Sequence, residues 1–224
     1  MKTSIRPFAV ALLGLAAAHA AAADGGCAVV AKAAQAALAQ PRIHAAIDSP
    51  LDPEAAKMGM KPMLMHSIVI DRVQYSNAIR AGFSKTPLDS PEMRMLASDL
   101  APFLVEQGCK AAGSERVAGR DAQVFTASGD MGRGEVRFRL WIDKASGLPM
   151  RATSDEPDVD VEVMLDAASH KGKSGSAVKT LPNGKRVIAT HAYLFGDAVK
   201  PPGAKGAVDS AALTTLQALL KGTP

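Results

Sequence analysis

The hydrophobic positions of this chain change period near its middle. In the first half they recur mainly at helical spacing. Val29, Val30, Ala33, Ala37 and Leu38 fall on one stripe of an alanine-rich run, which predicts a helix over 27–40, stopped by Pro41. Short strands are expected at 42–47, 61–71 and 72–81. Ser90-Pro91-Glu92 has the form of a helix start, with Ser90 as N-cap and Pro91 at the first position. That helix is expected to run through Leu96, Leu100, Phe103 and Val105 to Gly108, kinked or broken at Pro102.

From Ser114 onward the period is two. Val136, Phe138, Leu140 and Ile142 alternate with Arg137, Arg139, Trp141 and Asp143, and Val159, Val161 and Val163 alternate with Asp160, Glu162 and Met164. Such strands have one apolar and one polar face, the habit of an antiparallel sheet. The alternation puts Trp141 on the face of Arg137, Arg139 and Asp143, so it is expected to be partly exposed, with Arg139 against its ring. Turns are expected at Ser146-Gly147 and at Asn183-Gly184, the latter a hairpin signal, with a loop tip at 171–176. A late strand at 186–195 and an amphipathic helix at 209–221, capped by Asp209, complete the pattern. The fold class is α+β, a curved antiparallel sheet (an unclosed β-barrel) packed around one or two helices.

The N-terminus changes the picture of where this domain works. Lys2 and Arg6 precede an uncharged apolar run from Phe8 to Ala18, and Ala18-His19-Ala20 and Ala21-Ala22-Ala23 both offer small residues for cleavage. Residues 1–23 therefore read as a signal peptide, cut after Ala20 or Ala23, with a single domain over 24–224. The run is short of the roughly 20 apolar residues of a membrane span, and none is expected in the mature chain. Localisation is expected to be periplasmic. The formal charge is +4, or +2 once Lys2 and Arg6 are removed, too little to indicate nucleic acid. Two cysteines, Cys27 and Cys109, suggest a disulfide in an exported protein, closing a loop that stabilises by roughly 4 kcal/mol. A lipid anchor on Cys27, or two free thiols, are the alternatives; Asp24 departs from the aliphatic residue that a lipidation motif has at that place.

Catalytic signatures are missing. His44, His66, His170 and His191 lie too far apart in sequence for a metal-ligand spacing, and those on strands read as ordinary strand residues. Gly172-Lys173-Ser174 has the ending of a phosphate-binding loop, but Ala167 stands where the motif needs glycine. The acidic stretch from Asp155 to Glu162 alternates as a solvated strand face does. Met58, Met60, Met63 and Met65 are four of ten methionines within eight residues. They suit either core filling or an adaptable apolar lining.

Residues 113–151 carry a resemblance. After Gly113-Ser114-Glu115-Arg116-Val117-Ala118-Gly119-Arg120-Asp121-Ala122-Gln123-Val124-Phe125 come Leu140-Trp141-Ile142-Asp143 and Ser146-Gly147-Leu148-Pro149-Met150-Arg151. This resembles the central hairpins of the LolA/LolB-like lipoprotein-carrier superfamily, which includes RseB-like relatives. The resemblance implies an unclosed β-barrel plugged by helices, with an apolar cavity between them. The expected function is a periplasmic binding protein, without catalysis or cofactor, holding a lipid, an acyl chain or a lipidated peptide. Met63, Met65, Phe103, Phe138 and Leu140 are the expected ligand contacts, and no metal is expected. The alternative is a protein-interaction or sensor module that docks an envelope partner on the same sheet.

Overall fold

A computed structural model of the protein describes residues 25–49, 64–77, 82–88, 104–130, 134–157, 159–164, 175–180 and 185–222. The expected signal peptide, Met63, Phe103, most of the expected 90–108 helix and residues 171–174 of the expected 171–176 loop tip lie outside these residues; of that helix, 104–106 are described and are helical, and the last two residues of that loop tip, Gly175 and Ser176, are strand instead.

The described elements begin with α1 (Gly25–Leu38), then β1 (Arg42–Asp48), β2 (Met65–Ile70), β3 (Val73–Ser76) and β4 (Ser84–Pro87). A long antiparallel run follows: β5 (Lys110–Val117), β6 (Arg120–Asp130), β7 (Glu135–Asp143), β8 (Pro149–Pro157), β9 (Val159–Met164), β10 (Gly175–Thr180) and β11 (Arg186–Phe195), closed by α2 (Ser210–Lys221). Nine strands form one open antiparallel sheet in the order β4-β3-β2-β1-β11-β8-β7-β6-β5, and β9 pairs with β10 apart from it. The fold is the expected α+β class.

The Asn183-Gly184 hairpin is corrected, although the residues themselves lie outside those described. β10 pairs with β9, and β11 pairs with β8 and β1, so the strands flanking Asn183-Gly184 do not pair with each other. The tight turns lie elsewhere. Val117 pairs with Arg120, leaving Ala118 and Gly119 as a two-residue loop with φ of 49° and 74°. Positive φ at both central positions matches the right-handed twist of the strands it joins. At the β7–β8 turn Asp143 accepts hydrogen bonds from Ser146 N–H at 3.0 Å, Ser146 Oγ at 2.6 Å and Arg120 at 2.7 Å. Burial pushes the Asp143 carboxyl up, but these donors outweigh it and hold it below its usual range.

The sheet is covered on both faces. On one, α1 and Leu104 pack over β5–β8, with Val30, Leu104, Phe125, Phe138, Leu140 and Tyr193 in the core. On the other, α2 lies over β11 and β8, and Leu216 and Leu219 meet Val124, Trp141, Met150 and Leu194. Asp209 caps α2 as expected, accepting from Ala212 N–H at 3.0 Å, and Gly222 ends it in the left-handed region.

Covering of the second face corrects the expectation for Trp141. The alternation is as expected, but Trp141 is only 2% exposed. A helix from much later in the chain buries one end of a face whose local pattern is polar. The ring also lies between the guanidiniums of Arg139 at 4.7 Å and Arg151 at 4.5 Å, and its Nε1–H donates to Glu115 at 2.7 Å. Arg139 also bonds Glu115. The polar neighbours thus seal the indole rather than leave it wet.

Cys27 and Cys109 are bonded, with Cα atoms 5.4 Å apart and both residues buried. The bridge ties the first turn of α1 to the start of the edge strand β5.

Candidate functional site

Register decides which residues share a surface. Met65 pairs with Ile47, Ile47 with His191, His191 with Ala152, Ala152 with Leu140, and Leu140 with Phe125. This row runs straight across five strand pairs on the α1 face. Phe138 stands one row along, opposite Ser154 and Ala127. Three of the expected ligand contacts, Met65, Phe138 and Leu140, therefore lie on one face, as strand parity requires.

They do not lie in one environment. Phe125, Ala152 and Leu140 are at most 1% exposed and Phe138 is 5% exposed, packed beneath α1 and Leu104. Here the face is closed core, although Phe138 also contributes to the lining of a pocket. Met65, Ile47 and His191 are only half-buried. Leu140 and Met65 are four strands apart, roughly 19 Å along the sheet. Among the described residues this face is half-buried at its β11–β1–β2 end, and again at Ala127 and Gly129 of β6. Met63 and Phe103 lie outside the described residues.

His191 is the polar member of the row, a position that its sequence neighbours do not reveal. Its ring stacks on Tyr193 with centroids 6.4 Å apart. Burial lowers its pKa to about 4, so it stands neutral on an apolar face at ordinary pH.

The histidines of β1 and β2 depart further from expectation. His44 and His66 are not ordinary strand residues: they meet on the α2 face, Nε2 to Nδ1 at 3.0 Å, and are 1% and 6% exposed. Twenty-two residues separate them in sequence, and only the β1–β2 register brings them together. Among the described residues no group of three or more histidine, cysteine or acidic side chains is placed to hold a metal.

A pocket of ≈ 510 Å³ beside Lys110, Thr126, Arg137, Phe138, Arg139 and Asp155 has a mixed charged and apolar lining. Arg137 pairs with Glu135 at 2.9 Å and Arg186 with Asp155 at 2.6 Å. Asp155 thus stands on a paired, half-buried face instead of a bare solvated one. These ion pairs stand beside the apolar side chains of Phe138 and Ala127 in the same lining.

No helix among the described residues is long and apolar enough to cross a membrane. No protein-family model matches the chain, and no curated protein matches it in sequence. Among solved structures it is similar to LprF from Mycobacterium bovis, at 11% identity and a TM-score of 0.45, over 79% of this chain and 95% of that one. It is also similar to the lipoprotein LppX from Mycobacterium tuberculosis, at 11% identity and a TM-score of 0.40, over 78% of this chain and 96% of that one. A DUF1329 family protein from Desulfovibrio piger gives 12% identity and a TM-score of 0.30, over 79% of this chain and 94% of that one. Likenesses this distant assign no activity to this chain.

Proposed function

We propose that this is a periplasmic LolA-like binding protein, without catalytic activity, that holds an acyl chain or the lipidated end of a peptide. The observation that supports this is the apolar row from Phe125 to Met65, sealed at one end and half-buried at the other. An apolar concavity with a few polar groups is the usual form of a lipid site. Met65 and Ile47 supply adaptable apolar contact, and neutral His191 supplies one hydrogen-bonding group among them. Phe138 and Leu140 form the floor against which the chain end stops. The signal-like N-terminus and the disulfide agree with work in an oxidising envelope compartment.

The test is native mass spectrometry of protein purified from membranes, beside displacement of a fluorescent fatty acid. Bound lipid or lipopeptide is expected, with affinity lost at least about tenfold in Ile47→Lys, since a charge among apolar contacts is strongly disfavoured. A protein that carries no lipid and fails to bind the probe would overturn the reading. One stoichiometric protein partner in its place would favour the docking-module alternative.

A further inference from the structure

Two neighbouring strands, β2 and β1, each bury one histidine, His66 and His44, while His191 of β11 is half-buried on the opposite face. His44 and His66 form the 3.0 Å pair on the α2 face. One imidazole must donate to the other, and in either tautomer Nδ1 of His44 has no hydrogen-bond partner. The surroundings are apolar: Leu194 faces His44 from β11, Ile68 neighbours it on β2, and the Phe83 ring stands 6.4 Å from His66. Asn77 fixes the main chain of His66 from outside, accepting from its N–H at 2.6 Å, and leaves the rings alone.

The charged groups near this cluster are placed elsewhere. Arg42 and Asp48 share the face but stand at the two ends of β1. Lys85 of β4 sits over the Tyr75 ring, 5.9 Å from its centroid. From the turn after β11, Val199 packs inward while Asp197 and Lys200 are exposed; α2 carries Asp209 and Lys221 at its ends. Among the described residues no carboxylate pairs with either imidazole.

Such a pair holds only while neutral. A first proton from solvent buries a charge without a counter-ion. With a second, both nitrogens across the 3.0 Å contact carry hydrogen, and attraction becomes repulsion between strands. We propose that His44 and His66 form an acid latch on the β1–β2 pairing, whose protonation releases the meander β2–β4 from the rest of the sheet. β2 carries Met65 on its opposite face, so opening would unmake the half-buried end of the apolar row. Acid release of a ligand rests in addition on the proposed lipid-binding function; the latch does not.

The direction follows from linkage. Burial first, and His66 second, lower the pKa of His44 to about 3, and burial lowers that of His66. The closed form therefore binds fewer protons than the open form, and opening becomes easier as pH falls below about 6.5. For His44 alone, going from pH 7 to pH 5 raises the opening constant ~20-fold.

Hydrogen exchange read by mass spectrometry tests this, with each peptide corrected for the intrinsic pH dependence of exchange. Between pH 7 and pH 5 the β2–β4 peptides should gain at least about 20-fold in corrected exchange while β6–β8 stay protected. His44→Leu/His66→Leu should abolish the gain. Equal acceleration across the sheet, or a gain that survives in the double variant, would overturn the latch. Should that variant not fold, imidazole resonances of the native protein decide: His44 should remain unprotonated at pH 5.5 and His66 should titrate below its ordinary value, and titration of both near pH 6.5 would overturn the proposal. Fatty-acid binding lost at all pH values with the exchange pattern intact would count against the lipid reading alone.

Discussion

Truncating Trp141 tests whether the second face of the sheet is truly covered. The side chain is 2% exposed, lies between two guanidiniums and donates to Glu115. Removing a buried aromatic of this size costs about 3–5 kcal/mol. The guanidinium stacking and the indole hydrogen bond put Trp141→Ala near the middle of that range, about 4 kcal/mol. Glu115 is partly solvated, so its bond contributes at the low end, about 1 kcal/mol. Trp141→Phe keeps a ring between the arginines but loses that bond and some area, and should cost about 2 kcal/mol. Urea unfolding followed by far-UV circular dichroism measures both, because it does not depend on the tryptophan. As this is the only tryptophan, native emission should be blue and resistant to acrylamide. A cost below about 1 kcal/mol for Trp141→Ala, with red quenchable emission in the parent, would mean that α2 does not cover this face.

Thiol titration of the unfolded, unreduced protein should find no free thiol, and Cys27→Ser/Cys109→Ser should lower stability by roughly 4 kcal/mol in urea, given the 82-residue separation. Phe138→Ala should cost about 3–5 kcal/mol as a core truncation, read by the same unfolding curve. Gly119→Ala should cost about 1–2 kcal/mol, a backbone effect alone, because φ is +74° and nothing lies within 4 Å of the added methyl. The folded pKa of Asp143 is depressed, so its contribution is present above about pH 4 and lost as pH falls through the folded value. Asp143→Asn should therefore destabilise at pH 7 by about 1–3 kcal/mol, and the gap from the parent should narrow toward pH 2 in paired urea titrations.

Local pattern was enough for some of this architecture and blind to the rest. The period-two run from Val136 to Asp143, the strand at 186–195 and the Asp209 cap were legible because each depends on neighbours in sequence. The cysteine pairing was suggested by compartment and count. What could not be read was anything decided by distant segments. Trp141 reads as exposed until α2 is laid over it. His44 and His66 read as ordinary strand residues until register places one ring against the other. Met65 and Leu140 could be assigned to one face by parity, but not to a half-open end and a sealed core, because burial depends on where α1 ends up.

The two ends of the chain meet inside the sheet. β1 lies between β2 and β11, and Ile43 pairs with Phe195. No nascent chain can complete this sheet early, since β1 needs a partner, β11, that is made after every other described strand of the sheet. Pairing so remote in sequence slows folding. Until β11 arrives, β1 presents a bare edge whose four consecutive residues Ile43, His44, Ala45 and Ala46 are all buried in the finished molecule. An unfinished chain is thus most prone to aggregation until that last strand is free.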